Sequence, residues 1–576
     1  MSIPEEEQKF LQTLEKIIGH SLPQVSELQN HTYGYTVAEG HIEGLGLFSC
    51  KLNYIPEKIN SLSGLKNLMV RGNRLKVIPE ELSFVSSLKV LDLSENKLLK
   101  LPKAVYSLNS IEELHLESNR LTIISESINA LSSLNLLDLS ENNLKSVPDA
   151  IGALINLKSL DLSRNELINL PDSIKKLSSL ELLYLGNNKL TILPASIGAL
   201  KNLKRLNIRN NNLKTLPENI GQLSSLTSIF LSRNNLTSLP DSIGKLKSLK
   251  YLGLTENELS SLPETIGDLK MLENLSISSN NLTELPSSIG SLNSIIRLEL
   301  SNNQLTSFPE VNNLPCLKIL RMDRNKLKNL PESISHIKSL EIFKVDRNEL
   351  TALPSSICNL KSLKELDLYD NKLKDLPDSF GSLHSLEVLD LSKNELVSLP
   401  ESIGSLKSLK ELDLSSNSFK DLVHSIGDLS SLKNLMLGFN KLYTIPDTIG
   451  KLNSLETLDV GKNHLIEIPN TIGNLKSLKR LYLYYNELKK IPDSIGDLKS
   501  LKYLYLGNNQ LTELPSSIGS LKSLKYLFLR TNFITSLPKS IESLTSLKYL
   551  NVERNNLIEI PDSLDRLEDR DIKIFK

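Results

Sequence analysis

The chain has 576 residues, 67 Lys plus Arg against 67 Asp plus Glu, no Trp and 5% aromatic residues. Zero net charge removes the electrostatic argument for nucleic acid or an anionic membrane as the main partner. A charged fraction of 23% beside 39% hydrophobic residues argues against wholesale disorder.

Taken in chain order, Met1 to Phe10 is acidic and lacks the apolar core of a signal peptide. No stretch reaches the roughly 18 apolar residues of a membrane helix, so a soluble, cytoplasmic chain is expected. Phe10, Leu11, Leu14, Ile17 and Ile18 predict an amphipathic helix over Glu5 to Ile18. Thr36 to Leu47 reads as a first strand or hairpin. Together residues 1–42 are expected to form an N-terminal cap of amphipathic helix and first strand.

Residues 43–561 repeat. Leu91-Asp-Leu93-Ser-Glu-Asn96-Lys-Leu98 reads LxLxxNxL, and the same frame recurs every 23 residues from Asn73 to Asn303. After one 22-residue step it continues from Asn325 to Asn555, and Cys50 fills the slot of the first unit, giving 23 units in all. Six residues after each slot comes Pro, except at Ser125 and Val423. The Leu-x-Leu alternation predicts a short strand with two leucines on one face. The Asn amide both donates and accepts, so a stack of them suits turn groups that water does not reach. Runs such as Ser242-Ile-Gly-Lys-Leu-Lys-Ser-Leu249 have helical spacing for about two turns. No unit can bury its leucines alone, so neighbours must stack into a parallel sheet with a shared core. The 22-residue step, with Phe308-Pro309 and Leu314-Pro315, is expected to alter the segment opposite the sheet. Residues 562–576 read as a C-terminal cap: Leu564 and Leu567 lie among Asp562, Arg566, Glu568, Asp569, Arg570 and Asp571, and Ile572, Ile574 and Phe575 fit a last strand.

This pattern resembles the leucine-rich repeat superfamily over about nine tenths of the chain. The 23-residue Leu-Pro unit is similar to the intracellular class, which includes Shoc, Ras-suppressor and Scribble-like proteins and bacterial or archaeal relatives. The resemblance implies an α/β fold: a curved solenoid with a parallel concave sheet and short helices or turns on the convex side. It also implies protein binding on the concave face, with a small GTPase as one candidate partner. It is specific for fold and weak for function, since one scaffold serves many partners.

No phosphate-binding loop, kinase motif set, HExxH or GxSxG is present. Cys50, Cys316 and Cys358 lie far apart and offer neither a disulfide framework nor a metal-ligand spacing. His115 shares a strand slot with Asp92 and Asp138 in the adjacent units. Asp is the commonest residue of that slot, however, and one imidazole among unanchored carboxylates makes a poor metal site. No catalytic residue, metal or cofactor is assigned.

Counting back from each Asn slot, the sixth, fourth and second residues point away from the core, and the residue just before the slot lies at the turn. Most are small or polar. The main departure is Arg480, Tyr482, Tyr484, Tyr485, Tyr503, Tyr505, Tyr526, Phe528, Arg530 and Tyr549, which hold seven of the chain's 15 tyrosines. Adjacent strands bring these rings about 4.8 Å apart. An exposed aromatic patch of that extent marks an interaction site more often than decoration, and Tyr and Arg are favoured anchors. Ring ladders also stabilise sheets, and self-association would use the same surface.

Two lesser patches follow. Tyr184, Arg205, Arg209, Phe230, Arg233 and Tyr251 make a basic-aromatic region. Arg321, Arg324, Lys344 and Arg347 place like charges side by side, ahead of the acidic Glu365, Asp367, Asp370, Asp390, Glu411 and Asp413. The expectation is a monomeric, non-catalytic protein-binding scaffold, with no nucleic-acid or membrane partner. The alternative is a secreted effector or adhesin-like repeat protein that binds host or surface ligands.

Overall fold

In a computed structural model, residues 3–29, 31–311, 314–558 and 572–576 are described. The chain divides into two compact units. One runs to Leu282 with Ser291–Ile295 added; the other takes Thr283–Gly290 and continues from Ile296.

The first unit opens with helix α1, Glu5–Ile18. Glu5, Glu6 and Glu7 crowd its first turn, where the helix dipole favours negative charge. Gly19 ends it at φ 85°, a left-handed conformation that costs glycine no steric penalty, and donates its N–H to Glu15 O at 2.7 Å. Phe10, Leu11 and Leu14 are buried. Glu7, only 1% exposed, is satisfied by Ile42 N–H at 2.8 Å and by His41 Nδ1 at 2.7 Å. Strands β1 (Tyr33–Ala38) and β2 (His41–Leu47) pair antiparallel, so this start of the sheet departs from a wholly parallel arrangement. From β2 onward every pairing of this unit is parallel, as in Leu45 against Leu68, through three-residue strands ending at Asn274–Ser276. The second unit carries the same parallel ladder from Arg297–Glu299 to Lys573–Phe575.

Most repeats contribute the same set of buried side chains. In the unit of Asn486 these are Leu481, Leu483, Leu488, Ile491, Ile495, Leu498 and Leu501. Burying one such side chain contributes about 1.5–3 kcal/mol.

The segment opposite the sheet corrects the expectation of two helical turns. It is a single five-residue 3₁₀ turn in most repeats: in Asp493–Asp497, Ile495 N–H reaches Pro492 O at 3.1 Å and Leu498 N–H reaches Ile495 O at 3.2 Å. Ile and Leu three apart satisfy this tighter turn as well as an α-helix, and among the described residues of these segments only Lys103–Tyr106 is α-helical. Lysines clamp the exposed carbonyls: Lys499 Nζ donates to Gly496 O at 2.6 Å and to Ser520 O in the next repeat at 3.5 Å. Where Ser125 replaces the repeat proline, its extra N–H is taken up by Tyr106 Oη at 3.2 Å.

The asparagines form the ladder their chemistry predicts. Asn96 Nδ2 donates to Val70 O, Leu93 O and Ser94 O at 2.9, 3.1 and 3.1 Å, and its Oδ1 accepts Leu75 N–H at 2.9 Å. The 22-residue step leaves the ladder intact, since Asn325 Oδ1 accepts Leu305 N–H at 3.0 Å. Among the described residues of that step the 3₁₀ turn is missing. Val311 fills its buried slot and donates to Ser333 Oγ at 3.0 Å. The segment 562–571, expected to close the chain, lies outside the described residues.

Candidate protein-binding surface

The register sets the outward columns. Arg480, Tyr503, Tyr526, Tyr549 and Lys573 are successive partners in one column; Tyr482, Tyr505, Phe528, Asn551 and Phe575 are partners in the next. Tyr503 stacks on Tyr526 at 4.8 Å and 3°. Tyr482 stacks on Tyr505 at 4.7 Å, and Tyr505 on Phe528 at 4.3 Å and 7°. The two columns converge on Tyr549, which lies 4.8 Å from Phe528 and 5.1 Å from Phe575. Rings stacked this way stand on edge, so their faces are spent on one another and their rims are turned outward. Burial among the rings raises the Tyr482, Tyr484 and Tyr505 hydroxyls above the ordinary phenol range.

Tyr484 meets Tyr482 and Tyr485 edge-on at 6.5 and 6.1 Å and covers Gly461. Tyr485 is 52% exposed on a left-handed backbone, φ 51°. Arg480 sits 5.6 Å over Tyr503, and Arg530 is 3.8 Å from Glu553. Sequence reasoning passed over three contributors. Phe575 extends the ladder across one more strand, and Lys462 bridges Phe439 at 4.1 Å and Tyr485 at 5.5 Å. Phe439 and Lys462 occupy the turn slot just before Asn, so the signal for them was present.

The basic-aromatic region is only partly assembled. Arg205 lies 4.6 Å over Phe230 and 6.0 Å from Tyr184, and Phe230 is 4.7 Å from Tyr251. Arg233 is taken up by Glu256 at 3.0 Å, and Arg209 is exposed. The third group is mixed in charge. Arg321 and Lys344 are register partners, Lys344 pairs with Glu365 at 2.7 Å, and Arg347 lies 5.4 Å over Tyr369, while Arg324 stands on a left-handed turn at φ 55°. Asp346 lies among them with its carboxyl pushed up to about 6 by burial and then by Asp367 and Asp323. Further along, the recurrent Asp has a backbone role: Asp390 Oδ1 accepts Ser392 N–H at 2.8 Å and Asp413 Oδ1 accepts Ser415 N–H at 2.8 Å.

Among the described residues no group of three or more His, Cys, Asp or Glu is placed to hold a metal. His115 contacts Glu113 at 3.3 Å. Burial pushes the Cys50 thiol up to about 11, which disfavours the nucleophilic thiolate. No helix among the described residues is long and apolar enough to cross a membrane.

Family comparison matches the leucine-rich repeat region model in overlapping segments from residue 241 to 569, and leucine rich repeat models over 63–121, 132–190, 155–213 and 225–246. No curated protein matches the chain. Among solved structures, the plant peptide hormone receptor RGFR1 in complex with RGF2 is 31% identical, with 89% of this chain and 90% of that one aligned at TM-score 0.64. The Arabidopsis receptor kinase HAESA, in complex with the peptide hormone IDA and the co-receptor SERK1, is 27% identical over 96% and 95% at TM-score 0.63. YopM from Yersinia enterocolitica WA-314 is 28% identical over 80% and 91% at TM-score 0.59.

Proposed function

Because the chain belongs to the leucine-rich repeat family, we propose that it is a non-catalytic scaffold whose partner protein docks on the outer sheet face of the second unit, over the rings from Tyr482 to Phe575. One observation carries this reading: a continuous ladder of half-buried rings with outward rims, on a face whose other outward residues are mostly small or polar. Such a patch supplies the large, preorganised contact area that interfaces concentrate in a few aromatic anchors. The peptide complexes of RGFR1 and HAESA support ligand capture by this scaffold in general. We place the protein in the cytoplasm as a monomer, with a small GTPase among the partners to be tried first.

The test is a quantitative pull-down from native lysate, comparing wild type with Tyr482→Ala/Tyr505→Ala/Phe528→Ala, folding being checked by circular dichroism. Loss of a specific partner is expected. Unchanged capture would leave the rings as sheet stabilisers and shift attention to Arg205 and Phe230. Fractionation tests the location: protein recovered outside the cell would contradict a cytoplasmic scaffold.

A further inference from the structure

Seven residues before the Asn slot, just outside the first strand residue, lies a column that is charged in every repeat from Lys318 to Lys548. In the middle of the second unit carboxylates are interspersed with the lysines and neutralise most of them: Lys318 and Lys364 flank Glu341 at 3.1 and 2.7 Å, Lys410 meets Glu387 at 2.5 Å, and Glu456 meets Lys479 at 2.7 Å with Lys433 on its other side. Beyond Lys479 the column holds no further carboxylate. Lys502, Lys525 and Lys548 follow on consecutive rungs, with backbone bonds of 2.9 Å from Lys525 N–H to Lys502 O and from Lys548 N–H to Lys525 O. Among the described residues none of the three has a carboxylate within ion-pair distance; Glu553, at the far end of the same strand path as Lys548, lies against Arg530 and Asn551. Like charges on adjacent rungs are destabilising, and these lie beside the aromatic ladder, in a chain of zero net charge.

The rings point to the same ligand chemistry. Aromatic rims carry the positive part of the ring quadrupole. The ladder therefore turns outward positive edges and phenol donors, and among the described residues no protein group hydrogen-bonds the hydroxyls of Tyr503, Tyr505 or Tyr526. Arg480 sits at the start of this field and Lys573 at its end. The three lysines, the ring rims and the phenol donors together favour an anion that accepts hydrogen bonds.

We propose that the segment seated on this face is an acidic polypeptide, rich in Asp or Glu, lying across the strands with its carboxylates on Lys502, Lys525 and Lys548 and its backbone and side chains against the ring rims. The inference rests on the protein-binding reading above and adds the partner's chemistry. A polypeptide fits better than single-stranded nucleic acid, which binds aromatic platforms by stacking bases on open ring faces. Here the faces meet one another at 4.3–4.8 Å and leave no gap for a base. The span from Lys479 to Lys548 is three strand spacings, about 14 Å, which about four extended residues cover.

The test uses the full chain and fluorescence anisotropy with three labelled probes: a Glu-rich peptide carrying one Leu, its Gln isostere, and oligothymidine. Lys502→Gln/Lys525→Gln/Lys548→Gln is compared with a charge-matched control, Lys489→Gln/Lys490→Gln/Lys539→Gln, whose lysines are exposed away from the face. The acidic peptide should bind wild type and control alike, lose affinity about tenfold or more in the face variant, and weaken with salt, as charge-steered contacts do. Equal binding of the Glu and Gln peptides, equal losses in both variants, or tighter binding of oligothymidine would each overturn the proposal. If the pull-down partner depends on Tyr482, Tyr505 and Phe528 but not on the three lysines, the acidic inference fails while the protein-binding reading stands. A partner indifferent to both sets of residues would sink both.

Discussion

The ring of Phe528 lies 4.3 Å from that of Tyr505 with their planes 7° from parallel, although the two residues are a full repeat apart in sequence. Each is also in contact with a further ring, Tyr482 on one side and Tyr549 on the other. Phe528→Ala should therefore remove two cross-strand pairs and cost about 1–2 kcal/mol, on a scale of about 0.2–1 kcal/mol per pair plus lost burial. Urea unfolding followed by tyrosine fluorescence measures it. A change near zero would show that the ladder contributes nothing to the sheet.

Asn509 is 6% exposed and donates to Leu483 O at 2.8 Å and Leu506 O at 3.0 Å while accepting Leu488 N–H at 3.1 Å. Asn509→Ala strands buried backbone groups, each costing about 1–3 kcal/mol. The expected loss is about 3–5 kcal/mol in total. A local readout accompanies it: the Leu488 amide, whose acceptor disappears, should exchange with solvent markedly faster, whereas the Leu98 amide, held by Asn119 at 3.0 Å, should be unaffected.

Two glycines separate backbone collision from side-chain collision. A Cβ on Gly473 would stand 2.5 Å from Ser494 O and 2.9 Å from Ser494 Cβ, part of the next repeat's framework. A Cβ on Gly461 would strike the ring of Tyr484, which can turn away. Gly473→Ala should cost about 1–3 kcal/mol by overpacking. Gly461→Ala should cost less than about 1 kcal/mol, since a free side chain absorbs the contact, yet change the near-ultraviolet circular dichroism of the tyrosines. Equal stability losses would contradict the distinction.

Asp346 titrates near 6 in the folded chain because it is desolvated and faces Asp367 and Asp323. Its unfolded value is near 3.9, so the folded state binds this proton more tightly. The resulting destabilisation is complete above about pH 6 and absent below about pH 4, so its contribution improves on acidification between those limits. Solvent screening of this half-buried group reduces the effect to about 1–2 kcal/mol. Asp346→Asn should stabilise the protein at pH 7.5 and show no such gain at pH 4, measured by urea midpoints. Glutamates such as Glu341 and Glu387, held down by lysines, act in the opposite sense and lower in pH, so the difference between variant and wild type isolates Asp346.

Much of this architecture was readable in the residues. Leu481 and Leu483 could be placed in the core, and Tyr482 and Tyr484 outside it, from alternation alone; Asn at a 23-residue interval implied the ladder that Asn96 and its equivalents form. The turn opposite the sheet was less readable, because Ile495 and Leu498 are spaced for a 3₁₀ turn as well as for an α-helix, and backbone hydrogen bonding rather than apolar spacing separates the two. Arg233 falls in the basic-aromatic region by its slot, but its charge is taken up by Glu256 of the next repeat. Lys502, Lys525 and Lys548 fall in register by the 23-residue period, but that they lack the carboxylate partners of Lys364, Lys410 and Lys479 depends on side-chain placement.

The sequence by itself determined the repeat, the buried face, the strand register and the set of outward side chains, because each follows from a local period that every unit restates. The tertiary structure decided what those outward side chains do to one another: Tyr505 stacks rather than splaying, Tyr484 lies over Gly461, and Glu341 is shared between two lysines. Backbone register is fixed by burying the leucines, but a side-chain rotamer is chosen by contacts a repeat away, and these exist only once the strands lie side by side.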